Sequence, residues 1–103
     1  MARTLNMNLI KRGTQGEIQL IGYIDAINAP EAEKILVDLA GKFDTLTLDM
    51  EKLEYVSSAG LRAFKKAYVE IRQRNGSLEA KNVSRPVMEV LEITGFTRLF
   101  RFV

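Results

Sequence analysis

The sequence predicts an α/β fold, a single domain over residues 1–103 with a mixed, mostly parallel sheet of about five strands and three main helices. Apolar residues alternate with polar ones over short stretches, as in Leu5, Met7 and Leu9 or Leu46, Leu48 and Met50, which is the period of a half-buried strand. Elsewhere they recur every three or four residues, as in Leu61, Phe64, Tyr68 and Ile71, the stripe of a helix packed on one side. After an opening pair of strands the two patterns take turns, and that order favours parallel neighbours joined by right-handed crossovers.

Taken in order, Leu5, Met7 and Leu9 form a first strand, and Ile18 and Leu20 a second, with Gly13 to Gly16 as the hairpin turn. The second strand continues as Ile21 to Ile24, more continuously apolar, as suits a strand inside the sheet. A loop from Asp25 to Pro30 leads into the first helix, with Asn28 as N-cap, Pro30 in the first turn and Glu31 three residues after the cap. Ala32, Ile35, Leu36 and Leu39 make its apolar stripe, and Gly41 closes it. Asp44 to Met50 is the third strand, and the second helix runs from Ser58 to about Arg74. Asn75 and Gly76 stop that helix, and Leu78 and Ala80 mark a short fourth strand over Ser77 to Lys81. Ser84 caps the third helix, Pro86 lies in its first turn, Val87, Val90 and Leu91 form its stripe, and Gly95 ends it. Arg98 to Val103 closes the chain as a strand that buries Leu99 and either Phe100 or Phe102.

At 103 residues and 47% hydrophobic content the chain supports one ordinary core. Charge is nearly balanced, 15 basic against 13 acidic residues, which gives no reason to expect a nucleic-acid partner. With no cysteine and no histidine, disulfides, thiolate chemistry, imidazole metal ligation and histidine-activated nucleophiles are excluded. No apolar stretch approaches about 18 residues and MARTLNMNLI has no long apolar core, so a cytoplasmic protein without membrane insertion or export is expected. No cofactor or metal is expected either.

The stretch EYVSSAGLRAFKK, Glu54 to Lys66, sets two adjacent hydroxyls, Ser57 and Ser58, at the start of the second helix. One of them falls at or beside the N-cap, where a serine oxygen accepts a backbone N–H that has no partner inside the helix. That role alone requires no further function. In a sheet of this kind the loops at the carboxyl ends of the strands gather at one end of the domain. Asp25, Asp49 and Ser58 are therefore expected as neighbours.

Tyr55 to Leu61, reading YVSSAGL, resembles the switch loop of STAS domains, the family of bacterial anti-sigma factor antagonists. Gly22-Tyr23-Ile24-Asp25 resembles the family's Gly-x-x-Asp before its first helix, Leu46-Thr47-Leu48-Asp49 its central strand, and Ser84 to Phe96 its third helix and stop. These pieces cover nearly the whole chain in the family's order. The resemblance implies a protein that binds an anti-sigma factor serine kinase, is released when the switch serine is phosphorylated, and is reset by a phosphatase. By position the phosphoacceptor is Ser58, with Ser57 as second choice, and the nearby acidic contact is Asp25. The docking surface so implied comprises Asp25, Asn28, Ser57, Ser58, Ala59, Gly60 and Arg62, on a monomer or weak dimer. Two departures stand out. Ser57 occupies a position where many members carry Asp, and the chain ends after its last strand without the further helix many members have, so one sheet face is expected to be either thinly covered or open to a partner.

Other readings stay open. STAS-like subunits also serve transport or stress-signalling complexes, where Ser58 is an interface residue that is never phosphorylated. The basic face of the second helix, Arg62, Lys65, Lys66, Arg72 and Arg74, then faces an acidic protein or lipid surface, although a solvated exterior is the preferred reading of such a face. An enzyme would need a general base beside Ser58 that the composition does not offer, or Mg²⁺ held by Asp25, Asp49 and Glu51. Phe96, Arg98, Phe100 and Arg101 offer a nucleic-acid reading, but alternating arginine and phenylalanine is equally what a terminal strand with one buried face produces, and that reading is preferred.

Overall fold

The computed structural model describes residues 4–103. Met1 to Arg3, which open the stretch read for an export signal, lie outside them. Strands β1 (Leu5–Arg12) and β2 (Gln15–Ile24) pair antiparallel with Arg12 opposite Gln15, so the turn is only Gly13 and Thr14. Gly13 takes a φ of 61°, which suits glycine, and Gly16 belongs to β2 instead of the turn. The remaining elements are α1 (Ala29–Ala40), β3 (Thr45–Asp49), β4 (Leu53–Val56), α2 (Ser58–Gln73), β5 (Ser77–Lys81), α3 (Arg85–Thr94), a 3-10 turn (Phe96–Leu99) and β6 (Arg101–Phe102).

The sheet is mixed and six-stranded, ordered β1, β2, β3, β5, β6, with β4 beside the C-terminal end of β2. Apart from the opening hairpin every pairing is parallel. The strand beyond the expected five is β4, which lies between the expected third strand and second helix; four residues with only Leu53 and Val56 buried show no alternation to detect. From β2 to β3, β5 and β6 each crossover steps the same way across the sheet, and right-handed connections then put α1, α2 and α3 on one face. Burial agrees. Leu46, Leu48, Leu78 and Ala80 are buried beneath the helices, while Thr47, Glu79 and Lys81 between them are half-exposed on the other face. That second face is polar, carrying the Lys81 to Glu17 ion pair at 2.9 Å and a Thr47 hydroxyl that donates to Glu79 at 3.0 Å.

Two termini differ from expectation. Phe96–Leu99 turns as 3-10 helix, so the final strand shrinks to Arg101–Phe102. Phe100 is the buried ring and meets Phe64 edge-on with centroids 5.7 Å apart, an arrangement that adds about 0.5–1.5 kcal/mol to simple burial. Phe102 stays exposed, and Phe96, Arg98, Phe100 and Arg101 do not share one face. Ser84 occupies the N-cap position of α3, but its hydroxyl makes no capping bond there.

Candidate functional site

Ser57 is the N-cap of α2. Its backbone is extended, and its Oγ accepts the N–H of Gly60 at 3.1 Å, which satisfies one donor of the first turn. Its own N–H donates to the carbonyl of Ile24 at 2.8 Å. Ser58 is therefore the first residue of the helix proper. Its side chain is exposed, whereas Ser57 is half-buried. Gly60 turns inward. A Cβ there would lie 2.7 Å from Cγ2 of both Ile24 and Val56, so the first turn of α2 rests directly on the ends of β2 and β4. Of the expected docking residues Gly60 is thus buried, and its contribution is to seat the helix.

The bond from Ser57 to Ile24 brings the turn after β2 alongside. Asp25 Oδ1 accepts the N–H groups of Ile27 and Asn28, each at 2.9 Å. Asn28 answers: its Oδ1 accepts the Asp25 N–H at 3.0 Å, and its Nδ2 donates to the Tyr23 carbonyl at 2.9 Å. Asn28 takes the N-cap position of α1, yet its amide reaches back into the turn and makes no capping bond forward. Both side chains are half-buried and spend polar atoms on the loop itself. The turn is rigid as a result, and it holds Ile27 at 90% exposure.

Asp49 does not join this cluster. β3 pairs with the early half of β2, placing Asp49 opposite Gln19, five residues before Ile24 and so roughly 17 Å back along the strand. Its Oδ1 accepts the Glu51 N–H at 3.1 Å and the Asn82 side-chain amide at 3.2 Å, which fixes the turn after β3. Asp25, Asp49 and Glu51 therefore do not converge on a common cation.

The basic face of α2 also divides by role. Arg74 Nη1 donates to the carbonyls of Ala40 and Phe43 at 2.8 and 3.0 Å, closing the C-terminal end of α1. Arg72 Nη1 donates to the Gly76 carbonyl at 3.3 Å, and Lys66 pairs with Glu33 at 3.3 Å. Arg62 and Lys65 remain exposed, with Arg62 one turn beyond Ser58. No helix among the described residues is long and apolar enough to cross a membrane.

A polar end of a parallel sheet, with a hydroxyl at a helix start and an acidic turn beside it, defines a small interaction domain of the STAS type. The chain belongs to the STAS domain family, whose model matches residues 6–103. It is 29% identical over 93 residues to the anti-sigma-B factor antagonist of Bacillus subtilis, covering 88% of this chain and 85% of that protein. The anti-sigma-B factor antagonist of Listeria monocytogenes is 32% identical over 82 residues, 79% of this chain and 72% of the other. Among solved structures the fold is similar to that of the anti-sigma factor antagonist SpoIIAA in its unphosphorylated form, with a TM-score of 0.80 and 18% identity over 97% of this chain and 88% of that one.

Proposed function

We propose that this chain is an anti-sigma factor antagonist that docks on an anti-sigma factor serine kinase while Ser58 carries a free hydroxyl and leaves it once Ser58 is phosphorylated. One observation carries the choice of serine. The Ser57 oxygen is spent as the helix cap, whereas the Ser58 oxygen is exposed and makes no hydrogen bond within the described residues. The relatives named as anti-sigma factor antagonists support the role, and a solved structure of similar fold is of SpoIIAA in a phosphorylated form.

The chemistry asks little of this domain. The kinase transfers the γ-phosphoryl group of ATP to the Ser58 oxygen, the hydroxyl proton departs to solvent or to a kinase base, and ADP is released; a phosphatase later returns the hydroxyl by hydrolysis. The new anion sits over the start of α2, where the N–H groups of Ser58 and Ala59 have no partner inside the helix. The fold therefore tolerates the phosphate. The docking surface does not, because a group of charge about −1.5 to −2 now lies beside the Asp25 carboxylate and faces a partner that had packed on a neutral hydroxyl. Asn28 holds the Asp25 turn, Ala59 and Arg62 flank the hydroxyl, and Ser57 and Gly60 hold the helix that presents it.

The test uses purified serine kinases of this kind from the source genome, each titrated with wild type and Ser58→Asp by calorimetry. The expected result is one kinase that binds wild type and binds Ser58→Asp at least tenfold more weakly, with no loss of melting temperature in the variant. Equal affinity for both proteins would remove the charge-based release.

A further inference from the structure

Ile27 is, among the described residues, the large apolar side chain most open to solvent, 90% exposed at the tip of the turn after β2. A lone exposed isoleucine is ordinary on a protein surface. Its setting is not. The four-residue turn that carries it is locked by the Asp25 and Asn28 side chains through hydrogen bonds of 2.9 to 3.0 Å. Through the bond from Ser57 to Ile24 the same turn is fixed against the start of α2. Ala26 and Pro30 beside it are exposed as well, and Ala59 is half-exposed next to Ser58. Beside the hydroxyl the turn thus presents Ala26, Ile27 and Pro30 to solvent, while Asp25 Oδ1 is engaged inside the loop.

We infer that Ile27 is the apolar anchor of docking, inserting into an apolar pocket on the serine kinase next to the cleft that receives Ser58. This rests on the reading given above. A side chain already fixed in its bound position loses little freedom on association, which is how a few buried residues come to dominate an interface. An anchor of this kind also accounts for the force of the switch. Water must leave the surface around Ile27 when it docks, and an anion added at the rim of a dry apolar contact costs far more than one added to a wet, charged surface. A second copy of this chain is the competing occupant. Ile93 supplies the internal control: it is 85% exposed on α3 but belongs to no locked turn.

The test compares wild type, Ile27→Ala, Ile27→Asp and Ile93→Ala against the serine kinase that modifies wild type. Dissociation constants, phosphorylation kinetics, melting temperature and sedimentation are measured for each. The expected result is binding weakened by roughly tenfold or more in Ile27→Ala and further in Ile27→Asp, with KM raised, kcat unchanged and no change in melting temperature. Ile93→Ala behaves as wild type. If Ser58 of wild type is phosphorylated yet Ile27→Ala binds as tightly as wild type, the anchor is wrong while the switch stands. Loss of self-association without loss of kinase binding assigns the residue to a second copy and overturns the inference. If wild type is neither bound nor modified by any such kinase, the reading beneath falls and takes the anchor with it.

Discussion

The backbone N–H of Ser57 donates to the carbonyl of Ile24 across 2.8 Å, and this bond joins the start of α2 to the end of β2. Both partners grow out of the sheet, since Ile24 is wholly buried and pairs with Val56 of β4. The spacing between the exposed Ser58 hydroxyl and the Asp25 turn is therefore set by the sheet and not by flexible loops. Under the proposed switch a partner would meet a preformed surface, and phosphorylation would act on that surface without requiring the domain to move.

The two serines should separate cleanly in stability. Ser57→Ala removes the acceptor for the Gly60 N–H and is expected to cost about 1 kcal/mol, roughly 4–8 °C in melting temperature for a domain of this size. Ser58→Ala removes an exposed hydroxyl and should stay within about 0.5 kcal/mol of wild type. Thermal denaturation of both variants checks the pair; a larger loss in Ser58→Ala would mean that the cap has been assigned to the wrong residue.

Gly60→Ala tests the seat of the helix. Alanine favours helix by about 1 kcal/mol over glycine, so a free position would gain stability. Here the added methyl meets Ile24 and Val56 at 2.7 Å, both β-branched and both fixed in strands, and overpacking of that kind costs about 1–3 kcal/mol. Urea denaturation should show net destabilisation. A stabilised variant would refute the close approach of α2 to the sheet.

Arg74→Met keeps most of the aliphatic stem but removes the donors to Ala40 and Phe43 at the end of α1. Charge-assisted bonds to helix-terminal carbonyls on a side chain only 35% exposed support a loss of about 1–2 kcal/mol. Lys65→Met, on the exposed stretch of the same helix, should lose almost nothing. Equal effects in chemical denaturation would return Arg74 to the solvated exterior.

Lys81 carries the pH dependence of the open sheet face. Its hydrogen bond to Glu17, with help from the Asp49 charge, raises its pKa above the ordinary 10.5 against the opposing pull of desolvation and Arg12. A raised folded pKa means that the stabilisation is fully present below the unfolded value and fades as pH rises through the folded one. Wild type should melt above Lys81→Met at neutral pH, and the gap should close as pH passes 10.5. A gap that persists undiminished at strongly alkaline pH would contradict the ion pair.

Much of this was legible in the residues. Period-two runs such as Leu46 and Leu48 and the stripe of Leu61, Phe64 and Ile71 give burial directly, because each side chain's exposure follows from its place in a regular element. Strand β4 was not legible, since Leu53–Val56 is too short to display a period. Nor was the inward role of Asn28 and Arg74: their partners, the Tyr23 and Ala40 carbonyls, are backbone atoms that no side-chain pattern announces. Strand ends alone place Asp49 near Ser58, and strand lengths undo that. β2 is ten residues long and β3 five, so β3 ends partway along its neighbour. The exposure of Ile27 follows from no period in the sequence; it follows from the turn that Asp25 and Asn28 hold.

The most direct measurement is the intact mass of wild type, Ser57→Ala and Ser58→Ala after incubation with ATP and each serine kinase of the source genome. One kinase should add a single phosphate to wild type and to Ser57→Ala and none to Ser58→Ala. Phosphate retained on Ser58→Ala but lost from Ser57→Ala would contradict the account at its centre, because the oxygen that caps the helix, and not the one turned to solvent, would be the acceptor.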